Sequence, residues 1–248
     1  MEIKIKNMIN LNLIKNIGVP LYLFIYLIIP HSAITQTLKA EFIRNLENSL
    51  NTRELEFIRK NFRNYEKQNM PKQFSKIIND FPDSKWKIKR LKTNIPTKNV
   101  LRIKVSGKKI INGETHILES NFDYLFSIVN GKIDDGIIKN LFTTIRNDNN
   151  MIDISFKIPD KVLTGTKYDM DIILNKPLEE AIIAGAIKSH QIDSLFEQEI
   201  LLEPLASGGI FKTTRAPSKP GIQIWSGILA HPEGMITFTK SIDIVDER

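Results

Sequence analysis

Two Asn-Gly dipeptides, Asn112-Gly113 and Asn130-Gly131, constrain the fold of this chain more than any other feature. A two-residue turn of type I′ needs positive φ at both central residues, and Asn followed by Gly meets that need at the least steric cost. A two-residue loop at the first dipeptide pairs Ile111 with Glu114. Counting outward, Ile103 then faces Phe122, Leu101 faces Tyr124 and Arg102 faces Asp123. Apolar side chains meet on one face and opposite charges on the other. A slip by one residue would exchange the two faces, so this register is strongly specified.

Strand periodicity begins at about Ser84. Lys85-Trp86-Lys87-Ile88-Lys89 alternates strictly, and Leu101-Arg102-Ile103-Lys104-Val105 alternates again after a break at Pro96. Before it the spacing is helical. Leu38, Phe42, Leu46 and Leu50 share one helix face, and Leu55, Ile58, Phe62 and Tyr65 share another. Asn51 with Glu54 reads as a capping-box start for the second helix, and Pro71 opens a third that carries Phe74, Ile77 and Ile78. Helices followed by an antiparallel meander give an α+β layer over residues 36–148. This element order resembles the cystatin-like and nuclear-transport-factor-2-like folds.

After the polar run Asn147-Asp148-Asn149-Asn150, residues 149–248 carry strand signals alone. Candidates are 152–158, 168–174, 181–188, 199–205, 210–214, 222–229 and 235–245, separated by Gly- and Pro-bearing turns. Seven short strands at regular intervals resemble an immunoglobulin-like β-sandwich, without the cysteines of antibody domains. The expected fold class is therefore α+β followed by all-β.

Residues 1–35 have the parts of a secretory signal: Lys4, Lys6 and Lys15, an apolar run from Ile17 to Pro30, then small polar residues. That run is too short for the roughly 20 apolar residues of a membrane-spanning helix, which favours cleavage over a retained anchor. Export to the periplasm, cell envelope or exterior is the expected location. With no cysteine, the fold must be held by its core.

The net charge of +7 hides a division. Residues 36–109 hold 19 basic and 7 acidic side chains, whereas residues 110–248 hold 13 basic and 20 acidic. Ser84 to Lys109 contains ten basic residues and no acid. Lys85, Lys87, Lys89, Arg102 and Lys104 are expected on one sheet face, where they could engage anionic lipid, an acidic polysaccharide or an acidic envelope protein. The plain alternative is a solvated face that keeps an edge strand soluble, partly neutralised by Asp123 and Glu119. Nucleic acid fits poorly, since export removes the chain from it and no aromatics interleave with these cations. A second candidate is the Gly/Pro-rich stretch with Lys212, Arg215 and Lys219 beside Trp225, a loop contact if Trp225 is not simply a core residue.

Motifs for chemistry are sparse. His116, His190 and His231 stand in no metal-ligand spacing, and no phosphate-cradling glycine loop or hydrolase elbow occurs. Neither a metal nor a cofactor is expected. Asp134-Asp135-Gly136 and Asp169-Met170-Asp171 read as a turn and a solvated strand face. The enzymatic alternative places His116, Tyr124 and Asp135 in a pocket between helices and sheet, Asp135 requiring a bulge at Asp134-Asp135-Gly136. A third reading is an assembly protein that pairs through an exposed strand edge. The leading expectation is an exported, non-enzymatic binding protein.

Overall fold

The computed structural model describes residues 38–147, 152–175, 181–190, 201–205 and 208–246. The expected leader, 1–35, and the linker residues 148–150 lie outside them. Among the described residues three helices come first: α1 (Ala40–Thr52), α2 (Glu56–Asn61) and α3 (Asn69–Asp80), with a 3-10 turn at Tyr65–Lys67. Four long strands follow: β1 (Lys85–Leu91), β2 (Asn99–Ile111), β3 (Glu114–Val129) and β4 (Lys132–Asn147). Next come β5 (Ile154–Lys157), β6 (Lys161–Leu163), β7 (Lys167–Leu174) and β8 (Ile183–His190). The last four are β9 (Glu203–Leu205), β10 (Gly209–Arg215), β11 (Gly221–His231) and β12 (Gly234–Val245). The molecule is thus α+β at its start and all-β thereafter.

Both Asn-Gly turns have positive φ at both residues, 52° and 84° at Asn112-Gly113 and 51° and 75° at Asn130-Gly131. The β2–β3 register is the one the first turn dictates, with Ile111 opposite Glu114, Ile103 opposite Phe122 and Arg102 opposite Asp123. Strands run in the order β1-β2-β3-β4-β12-β11-β8-β9, so β4 joins the meander to the end of the chain. β6, three residues between Pro159 and Gly165, pairs parallel with β12 and is too short to show a period in the sequence. A smaller sheet, β10-β7-β5, stands apart.

Each face of the large sheet is covered differently. Leu46 and Leu50 of α1, Ile58 of α2 and Phe74 of α3 pack with Trp86, Ile103 and Phe122 of the strands. On the opposite face, Met170 and Ile172 of the small sheet meet Trp225, Leu229, Phe238 and Ile242 of β11 and β12. Full burial of such side chains contributes about 1.5–3 kcal/mol each. The second half is therefore sandwich-like, two sheets facing each other across an apolar core.

The capping-box expectation at Asn51 is overturned. Asn51 lies inside α1, which ends at Arg53 in the left-handed region (φ 66°), and α2 begins beyond Leu55. The Asn51 side chain is committed to β1 instead: its Oδ1 accepts from the Trp86 N–H (2.9 Å) and its Nδ2 donates to the Trp86 carbonyl (3.0 Å). Glu47 accepts from the next outward N–H of that strand, Ile88 (2.7 Å). An edge strand leaves alternate backbone groups unpaired. Here α1 supplies partners for them.

β4 carries two bulges against β3. Between the pairs Leu125–Ile137 and Ser127–Asp134, Asp135 and Gly136 together oppose Phe126. A bulge at Asp134-Asp135-Gly136 therefore exists. Gly136 lies under the Tyr124 ring, and a Cβ there would come within 2.0 Å of the phenol oxygen. That ring is stacked against Phe62 and Phe126 at 6.3 and 5.0 Å and has no room to swing aside. Gly136→Ala is expected to cost about 1–3 kcal/mol, read as a lowered urea midpoint, whereas Gly113→Ala in the open Asn112-Gly113 turn strains only its own backbone.

Candidate functional site

β1 lies against β2 with Lys85 opposite Ser106, Lys87 opposite Lys104 and Lys89 opposite Arg102. The five cations singled out in the sequence thus share one face, the one turned away from the helices. Trp86 and Ile88, between the lysines, point into the core. The face is concave. A groove of about 510 Å³ runs across it, bordered by Lys85, Lys87 and Lys104, with Asn121, Phe142 and Thr144 among its lining residues. Phe142 packs edge-on against Phe156 of β5 at 5.2 Å, so the small sheet adjoins the groove at that side.

The five cations are not equivalent. Arg102 is bound to Asp123 by two hydrogen bonds, Nε to Oδ1 at 2.8 Å and Nη2 to Oδ2 at 3.0 Å, and Asn140 donates to the same carboxylate at 2.8 Å. Lys89 is exposed farther along the strand and does not border the groove. Lys85, Lys87 and Lys104 make no ion pair or hydrogen bond with any described residue. Among the described residues that line the groove, Glu119 is the one carboxylate. Two like charges directly opposite each other in a ladder, as at Lys87 and Lys104, are unfavourable, and an anion held between them removes that penalty.

Asp123 stays ionised because its partners outweigh its burial. Burial alone would push its carboxyl up, its side chain being 8% exposed, but the hydrogen bonds from Arg102 and Asn140 and the guanidinium charge outweigh burial and hold it below the ordinary value. The same contacts push Arg102 upward. A depressed carboxyl contributes stability at pH values above its unfolded pKa, about 3.9, and that contribution is lost as pH falls through the folded value. Because Arg102 is 41% exposed, solvent screens the pair. Asp123→Asn is expected to lower stability by about 1–2 kcal/mol at pH 7, the gap to wild type narrowing below about pH 4 in urea titrations over a pH series.

The second candidate set brings together only Lys212 and Trp225. Trp225 is 4% exposed in the sandwich core, its Nε1 donating to the Tyr168 hydroxyl (2.9 Å), which donates to Gln223 Oε1 (2.8 Å). Burial pushes the Tyr168 phenol up, and the indole bond opposes it. Lys212 lies on β10 with its ammonium 5.7 Å above the Trp225 ring. It points inward from an edge strand, an arrangement that disfavours edge-to-edge pairing. Arg215 donates to the Gly165 carbonyl at 2.5 Å, and Lys219 is exposed in the β10–β11 connection.

The residues of the enzymatic alternative are likewise separate. Tyr124 is buried between Phe62 and Phe126, its hydroxyl 3.4 Å from Gln68 Oε1. His116 is buried at the opposite end of β3, between Lys109 and Asn147. The Asp135 side chain lies outside the described residues. Asp134 pairs with Arg63 (2.8 Å), and Asp169 accepts from Thr213 (2.6 Å). His190 is pushed down by burial and by Lys188, and His231 accepts from the Glu233 N–H in its own turn. Among the described residues no three His, Asp or Glu side chains are grouped to hold a metal ion, and no helix is long and apolar enough to cross a membrane.

Residues 149–245, spanning β5 to β12, match a family described as a domain of unknown function (DUF8623). No curated protein matches the chain.

Proposed function

We propose that this chain is an exported, non-enzymatic binding protein whose lysine groove holds an anionic chain of the acidic-polysaccharide class. The observation that carries the reading is the trio Lys85, Lys87 and Lys104, without ion-pair partners among the described residues, around a concave surface and with two of them directly opposed. The plain explanation, that lysines blunt an edge strand, loses force because Asn51 and Glu47 already close that edge. Side chains two residues apart on β1 repeat about every 6.6 Å, a spacing suited to a ligand with regularly repeated charges. A groove accepts a strand-shaped polymer, whereas a bilayer is flat. The leader of residues 1–35 supports export. The domain division follows the same reading: a cystatin-like or nuclear-transport-factor-2-like unit at 36–148 and an immunoglobulin-like unit at 149–248, the family match beginning at 149.

The test is retention of the mature protein on immobilised polygalacturonate, with anionic vesicles as a second arm. Lys85→Glu, Lys87→Glu and Lys104→Glu together are expected to weaken retention roughly 100-fold or more, at about 1 kcal/mol per cation removed, and wild-type binding to weaken as salt is added. Reversal of Lys212 and Lys219 is expected to leave it unchanged. Retention indifferent to the triple reversal removes the groove from the account, and preference for vesicles replaces the polysaccharide with a lipid surface.

A further inference from the structure

On the opposite face of the large sheet, beneath α3, lies a second cavity of about 180 Å³. Its walls are mostly apolar: Ile77 of α3 and Phe81 just past its end, Leu118 and Phe122 of β3, Leu141 and Ile145 of β4. At its mouth Lys76 and Asp80 pair with each other at 3.1 Å, which leaves no net charge there.

The hydroxyls of this cavity form one row. Ser120 of β3 stands directly opposite Thr143 of β4, Thr143 opposite Thr239 of β12, and Thr239 opposite Ser226 of β11. Directly opposed residues project to the same side of a sheet, so four adjacent strands present four hydroxyls in line. The first three line the cavity and the fourth leads out of it. Ser120 Oγ and Thr143 Oγ1 are 2.6 Å apart, and Ser226 Oγ and Thr239 Oγ1 are 2.9 Å apart. Each bond uses one hydroxyl proton. Among the described residues these four side chains make no other hydrogen bond, so each pair keeps a proton to donate and lone pairs to accept.

We propose that the cavity binds a small uncharged molecule made of one apolar ring and one oxygen, of the phenol or cyclic-alcohol class, with its oxygen on the Ser120–Thr143–Thr239 row. The size fits, because an apolar cavity of about 150 Å³ holds a benzene ring. Chemistry selects the rest. An ionised ligand would surrender its hydration without meeting an unpaired counter-charge, and a pure hydrocarbon would cover the hydroxyl row without bonding to it. This site lies on the other face of the sheet from the lysine groove and uses none of its cations, Ser120 being the one lining residue they share.

Isothermal titration of the mature chain with phenol, benzene and benzoate tests the proposal. Phenol is expected to bind saturably at one site per chain and to raise the melting temperature, benzene to bind more weakly and benzoate not at all. Thr143→Val is expected to weaken phenol binding roughly tenfold and to leave benzene binding unchanged. Leu141→Trp, which fills the cavity, is expected to abolish both, and Ile77→Phe provides the same blockade from α3 if the first variant does not melt cooperatively. The proposal is overturned by the absence of saturable phenol binding, by equal affinity for phenol and benzene, by a Thr143→Val variant that binds phenol as wild type does, or by filled variants that still bind.

Discussion

The carboxylate of Asp123 fixes the strand on which the two halves of this protein meet. It is buried on β3, gripped by Arg102 from β2, and bonded to Asn140, which sits at positive φ in the second bulge of β4. An unpaired carboxylate in that position would carry a large desolvation cost. The guanidinium and the amide offset it, and in doing so they hold the bulge in place. Bulges bend a strand and increase its twist. β4 is bent twice, once at Asn140 and once at Gly136, and beyond the bends it pairs with β12 from Phe142 to Arg146. The path of the sheet into the second half therefore follows from how a few residues of β3 and β4 satisfy one another.

A single continuous sheet then serves two kinds of layer. The helices cover one face of its first half, and the small sheet covers the opposite face of its second half. Where each cover stops, the sheet leaves a concave surface. One is the lysine groove, beside Phe142 and Phe156; the other is the hydroxyl-lined cavity beside α3. They differ in chemistry because neighbouring positions on a strand point to opposite faces. On β3, Glu119 and Asn121 contribute to the groove alone and Leu118 and Phe122 to the cavity alone, while Ser120 borders both.

The edge of the sheet shows the same economy. α1 turns Asn51 and Glu47 toward the outward backbone groups of β1, so that strand is closed to further pairing at Trp86 and Ile88 by side chains of the same chain. The lysines beside them are thereby left for the outer face. At the small sheet, Lys212 lies under β10 and over Trp225, so that edge is guarded by an inward cation instead.

Local rules were enough for much of this. The two Asn-Gly turns set the hairpins, because few other dipeptides adopt positive φ twice. Alternation in β1, β2 and β3 then placed Lys85, Lys87, Lys89, Arg102 and Lys104 on one face, and helical spacing marked the core residues of α1 to α3. What the sequence could not reveal depends on pairings between distant residues. Asn51 reads as a helix cap until β1 is present to take its amide. Trp225 reads either as a core residue or as a loop contact of Lys212, and only the tertiary structure shows the indole buried with the lysine turned inward above it. The hydroxyls of Ser120, Thr143, Thr239 and Ser226 carry no local signal, since each is an ordinary residue on its own strand. Only the antiparallel pairing of β4 with β12, a contact about a hundred residues long in sequence, sets them in one row.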